Sequence, residues 1–442
     1  MKKIITFSMS IAIAMELLAT ASAVPNINES DVLIEQGTDR LITVSYKLTD
    51  APGIVTIDFQ TNSASEWVSI GAENFQNVGG DVNCIVTELG TAKNITWRPD
   101  VSWGGHIITN GLRAVVKAWA LDNPPPYMAI NLGIDDFISF YSCEAAVPGG
   151  VTNEIYKTEW MLMRRIPAAN VIWRMGSPLG EIGKNHDDEP NVRETPHLVR
   201  LSSDYYMGIY EVTEYQYMRT LKKGVASGDT RLLPKNNIKW DDIRGKGSAG
   251  EAYEWPKNKP AVNPSSFMGV MRSRWMVAGN FDLPTEAQWE YACRAGCGSA
   301  LYNGTELDGE KGTASSDIIA VVGWCKGIAD SRQAVGQKEC NAWGLFDMLG
   351  NVDEWCLDWW AQQDKPGVEI YVPGKVYDDP EGPQNDLTGS KSCRGGSYAS
   401  STANVRCAAR STRTSPSYLG DLKDSIGFRV CAPCGITLPV AE

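Results

Sequence analysis

The feature that most constrains the fold is the segment Asn341–Trp360, which mixes tryptophans, glycines and carboxylates without a regular period. Helices repeat a buried face every three to four residues and strands every two, and neither spacing fits here. We interpret the segment as a backbone held by buried indoles, with carboxylates available to a metal ion or a hydrogen-bond network. Its members are Trp343, Trp355, Trp359, Trp360, Gly344, Gly350, Asp347, Asp353, Glu354 and Asp358.

Length and charge limit the classes of protein to which this chain can belong. A chain of 442 residues is long for a single hydrophobic core and is expected to form two domains. The net charge of −12 is dispersed, which argues against nucleic acid or an anionic membrane as a partner. No P-loop, GxGxxG, GxSxG or HExxH pattern occurs, so nucleotide-binding, α/β-hydrolase and zinc-protease functions lack their minimum parts.

The N-terminus has the pattern of a secretory signal peptide over residues 1–23. Lys2 and Lys3 precede the apolar run Ile4–Ala14, and Ala21–Ala23 fits a small-residue cleavage site. We therefore expect an exported protein, located in the periplasm, outside the cell or on its surface. No apolar segment reaches the roughly 20 residues that a membrane span needs.

Cysteine usage agrees with export, because disulfides persist in oxidising compartments. The chain has 11 cysteines, so at least one cannot pair within the chain. Cys431 and Cys434 have CxxC spacing, but no second CxxC follows and the chain contains only three histidines, His106, His186 and His197. The pattern favours structural disulfides over a metal–thiolate or redox site.

Residues 24–146 are predicted to form an all-β sandwich of immunoglobulin-like type, because short alternating segments are separated by turn residues. This part shows no cluster of candidate catalytic or metal-binding residues and is interpreted as a binding or spacer module. Residues 147–170 are a linker and first strand, 171–435 a second domain and 436–442 a tail. The predicted strands are Arg40–Leu48, Ile54–Phe59, Asn94–Trp97, Leu112–Ala120 and Tyr127–Leu132.

Two helix starts are visible in the second domain. Thr213 with Gln216, and Thr285 with Gln288, have the spacing of a capping box. Glu286 and Glu290 follow the second cap, four residues apart. They could form a paired-carboxylate site, but we interpret them as a solvated helix face.

Several ordered segments resemble the formylglycine-generating enzyme family, also called sulfatase-modifying factors. The resemblance covers roughly residues 160–435 and implies a compact α+β domain with a loop-rich variant of the C-type lectin fold. The segments are Arg174–Ser177, Glu189-Pro190, Pro196–Val199, Tyr205–Tyr217, Leu283–Gly296, Val335–Trp360, Arg394–Arg410 and Gly427–Arg429.

For function, the resemblance implies oxidation of a sulfatase cysteine to formylglycine by copper(I) held on two cysteines after a GGSY-like turn. Soft thiolates suit copper(I), yet the segment Ala399–Arg406 contains none and Ser400 stands at the first thiol position. The similarity to the family continues from Cys407, where the family has a structural cysteine. Copper is therefore not expected. Iron chemistry, known in a related branch with an added helical domain, is not expected either, because His186 and His197 cannot form its site.

The resemblance also implies calcium binding through Asp347, Gly350, Val352 and Glu354, which match the family's 0, 3, 5 and 7 spacing. Two carboxylates and two carbonyls on one tight loop suit this hard cation. The alternative is that the carboxylates only accept hydrogen bonds from loop amides. Asp353 stands where catalytic relatives often have tryptophan, which suggests an altered site.

Ser397 matches a family active-site serine and is the single candidate catalytic residue. Without the thiols, we expect its hydroxyl to bond the turn backbone. The arginines Arg394, Arg410 and Arg429 could line a groove for acidic or sulfated ligands. We expect them instead to be buried and paired with carboxylates such as Glu354 or Asp358.

Disulfide partners follow partly from the resemblance, which implies pairing of Cys293 with Cys431. Further candidates are Cys325 with Cys340, Cys356 with Cys393 or Cys407, and Cys84 with Cys143. Together these features predict a calcium-stabilised binding module for a protein, peptide or glycan, or a helper for a sulfatase. The alternative is a formylglycine-generating oxidoreductase, and incubation with copper(I) and a sulfatase peptide distinguishes the two.

Overall fold

The computed structural model describes residues 23–438 except 64–65, 75, 106–110, 179, 182–193, 225–227, 249, 308–315, 361–371, 373, 385–388 and 414–424. Nearly all of the predicted signal peptide, together with His106, His186 and residues 439–442, lies outside the described residues. No helix in the described part of the chain is both long enough and apolar enough to cross a membrane.

Two antiparallel sheets form the first part of the chain, in the orders β1-β2-β7-β5 and β4-β3-β6, with β8 paired to β3. Strand β2 alternates because one of its faces is buried, whereas β3 is buried throughout residues 53–59. Val44, Ile57, Phe59 and Trp97 meet in a single apolar core. The predicted strands of this part are confirmed. The bounds are β1 (Leu33–Gln36), β2 (Ile42–Lys47), β3 (Gly53–Ser63), β4 (Glu66–Ser69), β5 (Val78–Gly80), β6 (Cys84–Val86), β7 (Ala92–Trp97) and β8 (Leu112–Trp119).

The rest of the chain contains several small sheets. The next strands are β9 (Tyr127–Asn131), β10 (Ile138–Tyr141), β11 (Trp160–Ile166), β12 (Ile172–Met175), β13 (His197–Arg200), β14 (Tyr205–Gly208), β15 (Gly323–Trp324), β16 (Leu349–Gly350), β17 (Asp353–Trp359), β18 (Val376–Asp378), β19 (Lys391–Arg394), β20 (Arg410–Arg413), β21 (Ile426–Gly427) and β22 (Cys431–Pro433). They pair in the orders β10-β9-β11-β14-β22, β12-β13-β18, β15-β16 and β20-β19-β17-β21.

The five-stranded sheet crosses the predicted domain boundary at residue 146. Strands β9 and β10 precede that residue, but β9 pairs with β11 along Tyr127–Asn131. The run Pro124–Pro126 lies just before β9, and proline cannot donate to a sheet ladder. The change from one sheet system to the next therefore falls near these prolines.

Helices are few and short: α1 (Pro99–Ser102), α2 (Glu214–Thr220), α3 (Trp240–Arg244), α4 (Phe267–Arg274), α5 (Glu286–Arg294) and α6 (Ser316–Ala320). Both predicted capping boxes are confirmed. The Thr285 hydroxyl accepts from the Gln288 amide at 3.2 Å, and the Gln288 side chain accepts from the Thr285 amide at 3.0 Å. Thr213 and Gln216 make the same reciprocal pair at the start of α2.

The segment Asn341–Trp360 is held by its indoles, as its composition predicts. Trp355 and Trp359 are fully buried, whereas Trp343 and Trp360 are half-buried. The Trp355 indole donates to the Ile238 carbonyl at 2.9 Å. This packing fixes β17 in its sheet and places its carboxylates in the protein interior.

Candidate functional site

Three buried carboxylates meet at the loop before β17 and form an acidic cluster: Asp347 in the loop, Glu354 in β17 and Glu211 before α2. The loop backbone turns tightly, with positive φ at Asp347 (55°), Gly350 (84°) and Asn351 (60°). A Cβ on Gly350 would lie 2.0 Å from the Trp324 carbonyl oxygen, so only glycine fits there. The loop is thereby held closely against the strand β15.

Glu211 closes this loop from the chain segment that leads into α2. Its two carboxylate oxygens accept from the Asn351 side chain at 2.7 Å and from the Val352 amide at 3.1 Å. Burial, followed by the negative charges of Asp347 and Glu354, raises the pKa of Glu211 well above its ordinary value. Glu211 is a residue that the sequence alone did not single out.

The predicted calcium ligands Asp347 and Glu354 lie in this acidic cluster but have different partners. Asp347 accepts from the Gly336 amide at 2.6 Å through Oδ2, while its buried Oδ1 has no hydrogen-bond partner among the described residues. Burial raises the pKa of Asp347 to about 6. Glu354 accepts from Arg429 at 2.8 Å and from the Trp289 indole at 2.7 Å.

The negative charge of the cluster is limited by protonation, because burial favours the neutral form of Glu211. Arg429 and Lys157 are the cations that act on the Asp347 carboxyl, whereas Glu211, Asp347 and Glu354 supply three acids. The orphaned Asp347 Oδ1 suits a bound cation. Among the described residues, however, no group of three or more His, Cys, Asp and Glu side chains is arranged to hold a metal ion. The hydrogen bonds already made by Glu354 leave it less free than Asp347 to act as a ligand.

A second buried ionic network joins α5 to β19 and β20. Glu290 pairs with Arg294 at 2.9 Å and with Arg394, and it also accepts from the Gly176 amide at 2.9 Å. Burial opposes the ionisation of Glu290, but the charges of Arg294 and Arg394 outweigh it and lower its pKa. Glu286 accepts from Arg410 at 3.0 Å.

The interpretation of Glu286 and Glu290 as a solvated helix face is wrong, because both side chains are buried. Their spacing suggested exposure, yet α5 packs into the core on nearly all sides and each acid is neutralised by an arginine. Asp358 completes the network by accepting from the Glu286 amide at 2.9 Å. Burial, then the charge of Glu286, raises the pKa of Asp358 to about 7.

Arg394 and Arg429 are buried, Arg410 is partly buried, and all three pair with carboxylates, in agreement with the expectation that they do not line a groove. Arg429 donates to Glu354 and to the carbonyls of Gly208, Ile209 and Phe346 at 2.8–2.9 Å. Arg394 donates to the carbonyls of Ala408 and Ala409 at 2.8 and 2.7 Å. These guanidiniums tie loop carbonyls to buried carboxylates.

The turn after β19 contains the candidate catalytic residue Ser397, which is 1% exposed. Its amide donates to the Ser400 hydroxyl at 3.0 Å, and the two hydroxyl oxygens lie 3.2 Å apart. The Tyr398 amide donates to the Asn351 carbonyl at 2.9 Å. Ser397 therefore makes its hydrogen bonds within the turn. The neighbouring residue Tyr398 links the turn to the loop Asp347–Glu354.

The arginine that follows this turn is anchored to a different part of the chain. Arg406 donates to Glu194 at 3.0 Å through two nitrogens and to the Ser177 hydroxyl at 3.0 Å, and it also contacts Glu181. Burial opposes the charge of Arg406, but Glu194 and Glu181 raise its pKa. The segment Ser397–Cys407 is thus fixed at both ends.

No disulfide joins any of the cysteines, all of which lie among the described residues. The Cys293 thiol is directed toward Cys407. Burial is the largest cause of the raised pKa of Cys293, and the neighbouring Cys407 thiol raises that pKa further. Cys431 instead lies 4.0 Å from the Gln288 side-chain oxygen. The implied pairing of Cys293 with Cys431 is therefore not the arrangement found, because β20 and the turn before it bring Cys407 to α5.

Comparisons with known proteins find similarity over most of the second part of the chain. A family model described as "Sulfatase-modifying factor enzyme 1-like domain" matches residues 168–433. The chain is 28% identical over 222 residues to "Chaperone protein LppX" of Paenibacillus barcinonensis, which is 42% of this chain and 79% of that protein. It is 26% identical over 342 residues to the formylglycine-generating enzyme of Mus musculus, which is 68% of this chain and 82% of that enzyme.

Among solved structures, PvdO from Pseudomonas aeruginosa aligns with a TM-score of 0.44 and 21% identity, covering 62% of this chain and 94% of that one. The family model is the stronger finding, because it spans more than half of the chain and contains both ionic networks and the Ser397 turn. The chain belongs to the sulfatase-modifying factor enzyme 1-like family.

Proposed function

We propose that this chain is an exported, non-oxidative member of its family that binds a protein partner, with a sulfatase as the first candidate. The observation that carries the proposal is the turn at Ser397, where hydroxyls stand in place of thiols. Ser400 bonds Ser397, and the segment Ala399–Arg406 contains no cysteine. A neutral hydroxyl is a poor ligand for copper(I), which prefers thiolates.

The thiol that follows this segment does not replace the pair. Cys407 is buried, and its amide donates to the Ala300 carbonyl at 2.8 Å. Its thiol faces Cys293 in the interior, away from any partner that would approach the turn from solvent. The name of the relative LppX, a chaperone protein, supports a helper role that needs no oxidation chemistry.

We also propose that calcium stabilises the loop Asp347–Glu354. Asp347 and Glu354 would supply carboxylate oxygens, and Gly350 and Val352 their carbonyls. Support comes from the buried Asp347 Oδ1, which has no hydrogen-bond partner among the described residues. Calcium should raise the thermal midpoint of the purified chain, magnesium should do so less, and Asp347→Asn should weaken the calcium response. Equal midpoints in calcium and in EGTA would remove calcium from the proposal.

The finer features of the fold belong to the same proposal. We infer that the first two sheets face one another as a sandwich that ends near Pro124, and that the second part is a loop-rich, lectin-like domain. Support comes from the shared core of the first two sheets and from the position of β9 and β10. Export through the signal sequence would deliver both parts together.

Co-expression with an exported sulfatase tests the helper function. Two sulfatase versions are compared, one with its target cysteine and one with that cysteine replaced by alanine. A helper that does not oxidise should increase the soluble yield of both versions equally. An increase confined to the cysteine-containing version, or no increase in either, would contradict the proposal.

A direct assay separates this function from formylglycine generation. The purified chain is incubated with copper(I) and a peptide containing the CxPxR sulfatase pattern, and the products are examined by mass spectrometry. We expect no aldehyde and no stoichiometric copper binding. Turnover with one equivalent of bound copper would favour the oxidoreductase instead.

A further inference from the structure

A cavity of about 600 Å³ lies where the start of α5, the strand β22 and the loops around residues 255–260 and 379–381 meet. This volume is within the range of small-molecule sites. None of the residues Ser397–Cys407 lines the cavity. It is therefore separate from the turn on which the proposed function rests.

The charged groups in the wall are already paired with one another. Asp282 accepts from Arg272 and from Arg244, both at 3.0 Å. Arg272 also donates to the carbonyls of Phe281 at 2.8 Å and Pro260 at 2.6 Å. A charged ligand would lose its hydration without gaining a free counter-ion at this position.

The rim of the cavity carries two further ion pairs and one carboxylate that is held by a backbone amide. Lys259 pairs with Glu381, and Asp204 pairs with Arg165 at 2.7 Å. Asp379 accepts from the Ser202 amide at 2.8 Å. Because all of these charges except that of Asp379 are paired, the cavity suits an uncharged molecule better than an anion.

The remaining wall is mixed: Ser202, Ser203 and Asn280 supply exposed polar groups, and the apolar part lies deeper. Leu283, Leu357 and the indole of Trp255 form part of it, and the indole is fixed by a 3.2 Å hydrogen bond to the Glu381 carbonyl. The Gln288 side-chain oxygen is used in the capping box, while its Nε2 has no hydrogen-bond partner among the described residues. Gln288 thus presents a donor whose position is set by the helix cap.

We propose that this cavity binds an uncharged, largely apolar small molecule that carries a hydrogen-bond acceptor. Its flat or apolar part packs against Trp255 and the leucines, and its acceptor receives the Gln288 Nε2 proton. The site goes beyond the proposed protein-binding function, because it needs neither the Ser397 turn nor a macromolecular partner.

Nile red, an uncharged planar dye with a carbonyl acceptor, is the probe for the full-length protein. Titration should show saturable binding of one equivalent, with the emission shifted to shorter wavelength. Ser203→Trp places an indole at the cavity rim and should weaken binding at least tenfold. The matched control Ser331→Trp adds the same side chain at an exposed position outside the cavity and should leave the affinity unchanged.

Gln288→Glu tests the hydrogen-bond donor Nε2 of Gln288, whereas Ser203→Trp tests the space in the cavity. Glutamate retains the side-chain acceptor of the capping box but replaces the Nε2 donor with a carboxylate oxygen. Nile red affinity should fall about tenfold, whereas the hydrocarbon pyrene should lose less. Equal losses for both probes would overturn the role of Gln288.

The whole proposal fails if Nile red does not saturate the protein, or if Ser203→Trp and Ser331→Trp bind it equally. Circular dichroism and the thermal midpoint of each variant verify that it is folded, so a loss of binding in a folded Ser203→Trp protein supports the cavity. Tighter binding of the anionic dye 1-anilinonaphthalene-8-sulfonate than of Nile red would contradict the uncharged ligand class.

Discussion

The sheets formed by β1–β8 and the family domain that follows use different means to fill their interiors. In the described part of β1–β8 the buried side chains are mainly apolar, and Asp58 is a rare buried carboxylate. The family domain instead buries Glu290, Glu354, Arg394 and Arg429 in ionic networks. In regular strands the backbone groups hydrogen-bond to one another. In the long loops of the family domain, charged side chains supply hydrogen bonds to the buried carbonyls. The second region should therefore respond much more strongly to charge removal and to pH.

The largest expected effect comes from Arg429→Met. The change leaves Glu354 buried without its cation and removes donors from the Gly208, Ile209 and Phe346 carbonyls. Breaking a buried pair on one side costs about 3–5 kcal/mol. Urea unfolding should show this loss, and hydrogen exchange should locate it in residues 197–433 while β1–β8 stay protected.

The control for this prediction is Arg98→Gln, which removes an exposed arginine paired with Asp100 in the first region. It should leave the unfolding midpoint and the exchange pattern unchanged. If Arg429→Met were as mild as Arg98→Gln, the ionic network would not stabilise the family domain and the contrast between the regions would be lost.

The next effect is a pH dependence that originates at Asp358. Burial and Glu286 raise its folded pKa to about 7, above the ordinary value of 3.8. The folded state then keeps a proton that the unfolded chain releases, so this group makes stability fall as pH rises from about 4 to about 7. One group can contribute a slope of at most about 1.4 kcal/mol per pH unit.

Asp358→Asn removes this titration and can still accept from the Glu286 amide. The unfolding free energy of the variant relative to the parent chain should therefore increase through that pH window and level off above it. Urea unfolding at pH 4.5, 6 and 8 measures the difference. A difference that is constant with pH would show that Asp358 is ionised throughout.

A smaller effect, without pH dependence, is expected from Ile57→Val in the core of β1–β8. Ile57 is 1% exposed and packs among apolar side chains. Removal of one buried methylene costs about 0.5–1.5 kcal/mol. The loss should be the same at pH 5 and pH 8, and a marked change between them would indicate that buried charges also stabilise the first region.

The two regions also differ in how much of their structure the sequence predicts. Period-two alternation places β2 and β3 correctly, and shorter β-like runs between turn residues place β7 and β8. The sheet partner of β9 could not be read from its own residues, since pairing with β11 depends on contacts distant in the chain. The capping boxes were predictable because their hydrogen bonds span only three residues.

The pairing of the arginines with buried carboxylates was predicted, but the burial of the two acids on α5 was not, for a related reason. Glu286 and Glu290 look like an exposed pair until Arg410 and Arg394, more than a hundred residues away, are placed beside them. Glu211 carries no local signal at all, and only the folded loop shows that it binds Asn351 and Val352. The Cys293–Cys407 approach likewise depends on how the Ser397 turn returns to α5.

The smallest expected effect sharpens the comparison within the family domain. The Ser397 turn is closed by neutral hydroxyls, so it should behave like the uncharged first region even though it lies beside the ionic networks. Ser400→Ala removes the acceptor for the Ser397 amide. Because Ser400 is only half-buried and water can replace its hydroxyl, the loss should be about 0.5 kcal/mol, the lower end of the range for one hydrogen bond. Hydrogen exchange should quicken in residues 397–406 and stay unchanged in 347–354, with the same loss at pH 5 and pH 8. A loss that spread to the 347–354 loop would mean that the turn and the acidic cluster form one cooperative unit, because the Tyr398–Asn351 hydrogen bond is the link between them.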